Sequence, residues 1–281
     1  MGRVIAISNQ KGGVGKTTTA INLSASLAVG EKKVLLIDLD PQSNTTSGLG
    51  VFPQSFDEGI YEVLTGDISL KNTVLRTSLD YLDLIPACQD LIGVEIELLN
   101  ELGRETRLKE VIEGIQDYYD YIILDCPPAL GLLTINALTS ANGVLIPLQC
   151  EYYAMEGVSQ LLKTISLIRK RLNPDLEIEG ILLTMYDRRN NLCAQVEQEA
   201  RKHFPTEIFS TMIPRNIKLS EAPSHGKPIL LYDVNSSGSQ AYLQLGEEVL
   251  ERSRKAMVNK AQESQPCVKI HGHGKTEFVE G

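Results

Sequence analysis

The stretch that most limits what this chain can become is "VIAISNQKGGVGKTTTA", residues 4–20. A short apolar run ends at Ser8, Gly12, Gly13 and Gly15 follow, and a helix-length segment begins at Lys16. Strand, glycine turn and helix in that order make an anion cradle. The glycines let backbone N–H groups turn inward, and the helix N-terminus adds its dipole. The spacing reads as a phosphate-binding loop, G-x-x-x-x-G-K-[ST], with one departure. Gly15, Lys16 and Thr17 complete the pattern, but Gln10 stands at its first glycine and Lys11 follows. The expected nucleotide-binding residues are Gly12, Gly13, Val14, Gly15, Lys16, Thr17 and Thr18. Lys16 is expected on the β- and γ-phosphates, and the Thr17 hydroxyl on Mg²⁺. A second lysine, Lys11, beside one triphosphate needs its own explanation.

The rest of the chain supplies a sheet to carry such a loop. Apolar runs near 3–8, 33–38, 81–85, 120–125, 143–148 and 179–185 read as strands. Helical segments are expected near 16–29, 91–114 with a break at Gly103, 130–140, 154–172, 190–203 and 236–260. Strands apolar on both faces and separated by helices predict a doubly wound α/β fold, its mostly parallel sheet covered on both sides. No Pro/Gly/Ser-rich linker divides the chain. One domain is therefore expected over 1–258, with 259–281 a flexible tail whose two Gly-His steps leave a metal-binding reading open. No apolar run approaches a membrane span, and the start lacks a signal peptide's pattern, so a cytoplasmic protein is expected. Five scattered cysteines without a C-x-x-C pair signal neither a disulfide framework nor a zinc site.

Carboxylates follow two of the expected strands. "VLLIDLDPQ" carries Asp38 and Asp40, and "YIILDCPP" carries Asp125. In open α/β sheets ligands sit beyond the carboxyl ends of strands, so all three acids can converge on the loop's phosphates. Asp125 is the expected Mg²⁺ acid, acting through a metal-bound water. Asp40, further out on the loop, is expected to orient the attacking water, and Asp38 to belong to the Mg²⁺ shell.

The net charge of −9 is unevenly placed: residues 61–125 hold 14 acidic side chains against 5 basic ones, whereas residues 181–232 hold 7 basic against 5 acidic. A basic face can therefore coexist with an acidic chain, because a patch's near field outweighs distant net charge at physiological ionic strength.

Beyond the loop, "LLIDLDPQSNTTSGLG", "YIILDCPPALG", "PLQCEYYAMEG" and "IPRNIKLSEAPSHGKPILLYD" occur in order with "KGGVGKTTT". The set resembles the ParA/Soj-type chromosome and plasmid partitioning ATPases, whose deviant Walker A loop is shared with MinD. The likeness runs from about residue 2 to residue 255. It implies that ATP and Mg²⁺ drive a nucleotide-sandwich homodimer in which Lys11 reaches the neighbour's phosphates and takes part in catalysis with Lys16 and Asp40. It implies base contacts from Pro214 and Asn216, although Pro214 could simply set a turn. It also implies non-specific binding of double-stranded DNA on the nucleoid, with Arg188, Arg189, Arg215, Lys218 and Lys227 as candidates; Arg252, Arg254 and Lys255 are weaker additions, and Arg215 could serve the nucleotide instead. A ParB/Spo0J-type partner is expected to stimulate hydrolysis through a short basic segment. Glu95, Glu97 and Glu101 could dock that segment or form an ordinary solvated face. Two alternatives remain open: a MinD-like membrane-associated positioning ATPase, for which the last helix lacks bulky aromatic residues, and a nucleotide-dependent regulator of replication or cargo placement.

Overall fold

The computed structural model describes residues 1–66, 68–151 and 154–263, the side chains of 257–263 excepted. Seven strands form one sheet: β1 (Arg3–Ile7), β2 (Val34–Asp38), β3 (Leu75–Arg76), β4 (Leu82–Ile85), β5 (Tyr121–Asp125), β6 (Gly143–Gln149) and β7 (Glu177–Thr184). Their order is β3-β4-β2-β5-β1-β6-β7, with every pairing parallel except the edge pair β3–β4. The helices are α1 (Lys16–Val29), α2 (Asn44–Gly48), α3 (Ile60–Thr65), α4 (Val94–Glu97), α5 (Arg107–Glu113) and α6 (Leu132–Ser140). After them come α7 (Ala154–Arg171), α8 (Asn191–His203), α9 (Ile217–Glu221), α10 (Ile229–Tyr232) and α11 (Ser237–Glu263). This is the doubly wound α/β class that the alternating pattern predicts.

Because successive strand residues face opposite sides, each central strand feeds two cores. Val4, Ala6, Leu35, Ile37, Ile122 and Leu124 meet α6, α7 and α8 on one face. Ile5, Ile7, Val34, Leu36 and Ile123 meet α1 and α11 on the other. The Tyr242 hydroxyl of α11 lies 3.1 Å from Thr19 Oγ1 of α1, which locks the last helix onto the helix of the glycine loop. Gly246 allows that approach, since a Cβ there would come within 2.9 Å of Ser26 Cβ.

Two sequence expectations change here. The helix expected over 91–114 is a 3₁₀ turn followed by the separate α4 and α5. Gly103 adopts φ +74° between them, and Asn136 Oδ1 accepts from Leu108 N at the start of α5. Arg252, a weak DNA candidate, is a structural residue. Its guanidinium donates to the Ile208 carbonyl at 2.9 Å and to Glu248, and it stacks 4.1 Å from the Phe209 ring centroid. Val249 is buried in the core rather than offered to a lipid surface, and no described helix is long and apolar enough to cross a membrane. Of the tail expected over 259–281, residues 259–263 continue α11 and the rest lies outside the described residues.

Candidate nucleotide site

Register brings the acids together before any loop is considered. Asp38 at the end of β2 pairs with Asp125 at the end of β5, and Asp125 pairs with Ile7 on the other side, one residue before the glycine loop's approach. The loop itself needs its glycines at two points, where Gly13 and Gly15 take φ +75° and +91°, a region that side chains with a Cβ disfavour. It is fastened to the neighbouring strands: Thr184 Oγ1 of β7 donates to the Val14 carbonyl at 2.8 Å, and the Asn9 amide donates to the Pro147 carbonyl of β6 at 2.7 Å. Asn9 Oδ1 in turn accepts from Lys11 N at 3.0 Å.

The loop and Asp40 border a cavity of about 500 Å³ that also includes Pro128 and Lys227. Lys16 reaches back over the loop, its Nζ donating to the Lys11 carbonyl at 3.2 Å. Its burial pushes its pKa below the ordinary lysine value, a shift opposed by Asp125, Cys126 and Asp40. The sequence expectation for Asp40 meets a position at this cavity, with one oxygen accepting from Gln42 N at 2.9 Å.

Asp125 and Asp38 are both fully buried, and desolvation drives both above the usual carboxylate range. For Asp125 the Thr45 and Thr17 hydroxyls and Lys16 work against that shift, while the charge of Asp40 adds to it. Thr45 Oγ1 donates to Asp125 Oδ2 at 2.7 Å, but Oδ1 is buried and has no hydrogen-bond partner among the described residues. An orphaned carboxylate oxygen near a threonine hydroxyl and a cavity is a fitting donor set for a hard dication such as Mg²⁺.

Asp38, the register partner of Asp125, is hydrogen-bonded to the loop that follows β2. Oδ1 accepts from Asp40 N at 3.1 Å, and Oδ2 accepts from Thr46 N at 2.9 Å and Thr46 Oγ1 at 2.7 Å. These bonds let Asp38 organise the 40–48 loop. Thr46 Oγ1 also accepts from Ala87 N at 3.0 Å, which ties that loop to the end of β4.

The Lys11 ammonium ion-pairs with Glu151, both side chains being partly exposed. The sequence reading missed Glu151, although it lies just past the end of β6, where the same argument about strand ends would have found it. It also missed Thr184, Thr45 and Thr46, whose residue type carries no local signal.

Further along, Pro214, Arg215 and Asn216 line a second cavity of about 280 Å³ that shares Gly15 and Thr18 with the loop. The Asn216 side chain is committed, with Oδ1 capping α9 at Lys218 N and the amide donating to Ser237 Oγ. Arg188, Arg189 and Arg215 border an adjoining cleft of about 640 Å³. Arg189 pairs with Asp187 at 3.0 Å, and Lys218 pairs with Glu221 at 2.9 Å. Lys227 is separated from these cations and lies at the phosphate cavity instead. Among the acids, Glu95 accepts from Leu132 N at the start of α6, Glu97 from the Tyr61 hydroxyl, and Glu101 from Arg107.

A parallel sheet whose first strand runs into a lysine-bearing glycine loop, with a buried acid ending the next strand, defines a P-loop nucleoside triphosphatase. A family model for an AAA domain matches residues 2–178. The sporulation initiation inhibitor protein Soj of Bacillus subtilis is 56% identical over 249 residues, which is 89% of this chain and 98% of that protein. The chromosome partitioning protein ParA of Myxococcus xanthus is 55% identical over 252 residues, 90% of this chain and 89% of that protein. Among solved structures, cobyrinic acid a,c-diamide synthase from Mycobacterium smegmatis with bound ADP and magnesium is similar with a TM-score of 0.80 at 38% identity, covering 91% of this chain and 97% of that one. The chain belongs to the Soj/ParA family of chromosome-partitioning ATPases.

The raised carboxylates make a pH prediction. A group whose folded pKa lies above its unfolded value stabilises the fold below the unfolded value, and that contribution is lost as pH rises through the folded one. Asp125→Asn should therefore raise the Tm of the nucleotide-free protein at pH 8, by roughly 1–3 kcal/mol in stability, and leave it nearly unchanged at pH 4. Thermal melts across that range check it; an equal shift at both ends would contradict a charge origin.

Proposed function

We propose that this chain is a Mg²⁺-dependent ATPase whose ATP-bound form is a DNA-binding dimer, and that a ParB/Spo0J-type partner ends that state by stimulating hydrolysis. The observation that carries the reading is the site with two lysines: Lys16 donates to the backbone of its own glycine loop, whereas Lys11 is ion-paired with Glu151 just past the end of β6. Thr17 and Asp125 would hold Mg²⁺, with Asp40 nearby, and the bound ion would neutralise phosphate charge. Asp40 would orient the attacking water at the cavity's edge, while Lys16 holds the phosphates and offsets charge that develops during transfer. The side chain of Lys11 would act on a neighbour's nucleotide. For that its ion pair with Glu151 must open, which as an exposed pair costs at most about 1 kcal/mol.

Membership in a family whose named relatives include chromosome partitioning proteins supports the cellular role, with the protein in the cytoplasm and on the nucleoid. Arg188, Arg189, Arg215 and Lys218 are the DNA contacts in this reading. The pairs Arg189–Asp187 and Lys218–Glu221 are exposed and weak, so phosphate oxygens can compete for both cations. Pro214 would support the base in the second cavity. For the partner, the surface around α4 has the right chemistry. Ile96 and Leu102 are 77% and 97% exposed, and the acids on that segment complement a basic amphipathic peptide.

Three outcomes are expected. Lys11→Ala should lower turnover by about 10³-fold and abolish ATP-dependent dimers in sedimentation, while monomeric ADP affinity is kept; an active Lys11→Ala monomer would overturn the reading. Arg189→Glu with Lys218→Glu should abolish DNA retention by the ATP form, and the single Lys218→Ala change should reduce the salt slope by about 1. Ile96→Ser with Leu102→Ser should raise the partner concentration for half-stimulation about tenfold without changing basal turnover. The apolar residues are the better test, since neutralising Glu95 would also disturb α6.

A further inference from the structure

Lys227 is an exposed lysine that stands out by its place in the fold. It borders the same cavity as Gly12, Gly13, Lys16 and Asp40, and its ammonium has no ion-pair or hydrogen-bond partner among the described residues. The other cation of that cavity, Lys16, belongs to the glycine loop, so Lys227 approaches the anion space from a different element. An unpaired cation placed at the mouth of an anion site contributes through charge-assisted hydrogen bonds when the anion arrives.

The backbone around Lys227 is anchored to the nucleotide machinery at two points. Gly226 takes φ +62° and packs against Gly50, so closely that a Cβ on Gly226 would come within 2.6 Å of Gly50 Cα. Gly50 ends the segment that starts at Asp40 and runs through α2. On the other side of Lys227, Ile229 N donates to Asn22 Oδ1 at 2.7 Å, and Asn22 Nδ2 donates to the Thr18 carbonyl at 2.8 Å. Lys227 is thus held between the Asp40 segment and the first turns of α1. By contrast, the DNA candidates Arg188 and Arg189 border the adjoining cleft beside α11, and Arg215 borders both that cleft and the second cavity.

We infer that Lys227 is a third cation of the nucleotide site, contacting phosphate oxygens of ADP and ATP bound in its own chain, and not a DNA contact. This rests on the cavity being the ATP site. Because the loop carrying Lys227 touches the Asp40 segment through Gly50, the contact also fixes that segment when nucleotide is present.

The test uses the full chain and fluorescent mant-ADP and mant-ATP. Lys227→Ala should weaken both by about 10–100-fold, the fold-change of a lost charge-assisted hydrogen bond, with the nucleotide-free Tm unchanged and the ADP-induced rise in Tm reduced. Lys227→Arg should recover most of the affinity. If Lys227→Ala lowers the nucleotide-free Tm, Lys227→Met, which keeps the aliphatic stem, is measured in its place against the same criteria. Unchanged mant-nucleotide affinity in that variant overturns the inference, whether or not DNA retention falls. Failure of the parent protein to bind mant-ADP would instead overturn the assignment of the cavity.

Discussion

Asp38 and Asp125 occupy the same rung of neighbouring strands, and burying two carboxylates side by side is the constraint to which the rest of the site answers. A buried carboxylate must be hydrogen-bonded, protonated or matched by a cation. The chain resolves the two acids differently. Asp38 is satisfied by Thr46 and by the backbone of Asp40, whereas Asp125 keeps one oxygen without a partner among the described residues, beside the glycine loop. The first arrangement shapes the loop that carries Asp40. The second leaves a place whose chemistry calls for a cation.

That division links packing to function. The tie from Thr46 to Asp38 and to Ala87 N fixes the 40–48 loop between two strands, so Asp40 reaches the cavity from a rigid base. On the opposite side Thr184 holds the glycine loop to β7, and Tyr242 holds α1 to α11. The phosphate site is therefore enclosed by fixed elements, while the features assigned to partners are loosely held: Lys11 with its weak ion pair, and the exposed Ile96 and Leu102. A rigid site with loosely held partner contacts suits an enzyme whose activity depends on what it binds.

Much of this was legible in the chain. Six apolar runs became six of the seven strands with small boundary shifts, because buried parallel strands are apolar on both faces and need little context to be read. The glycine loop was legible because it is local, with strand, turn and helix adjacent in sequence. The two-residue edge strand β3 and the short helices α2, α3, α9 and α10 were not, since segments of that length carry no periodicity. The basic residues showed the limit of charge counting. Arg215, Lys218 and Lys227 lie within 13 residues in the sequence, yet Arg215 borders the cleft beside α11, Lys218 pairs with Glu221, Lys227 borders the cavity of the glycine loop, and Arg252 serves the core.

By itself the sequence determined the fold class, the phosphate loop and the acids at the strand ends, since each follows from residues adjacent in the chain or from apolar period alone. Only the tertiary structure decided what each charged side chain does. It set Asp38 against Thr46, paired Lys11 with Glu151 across 140 residues, and brought Lys227 to the cavity of Lys16. The physical reason is that a charge's role depends on what shares its low-dielectric surroundings, and those neighbours come from strand register and loop packing that no local pattern records.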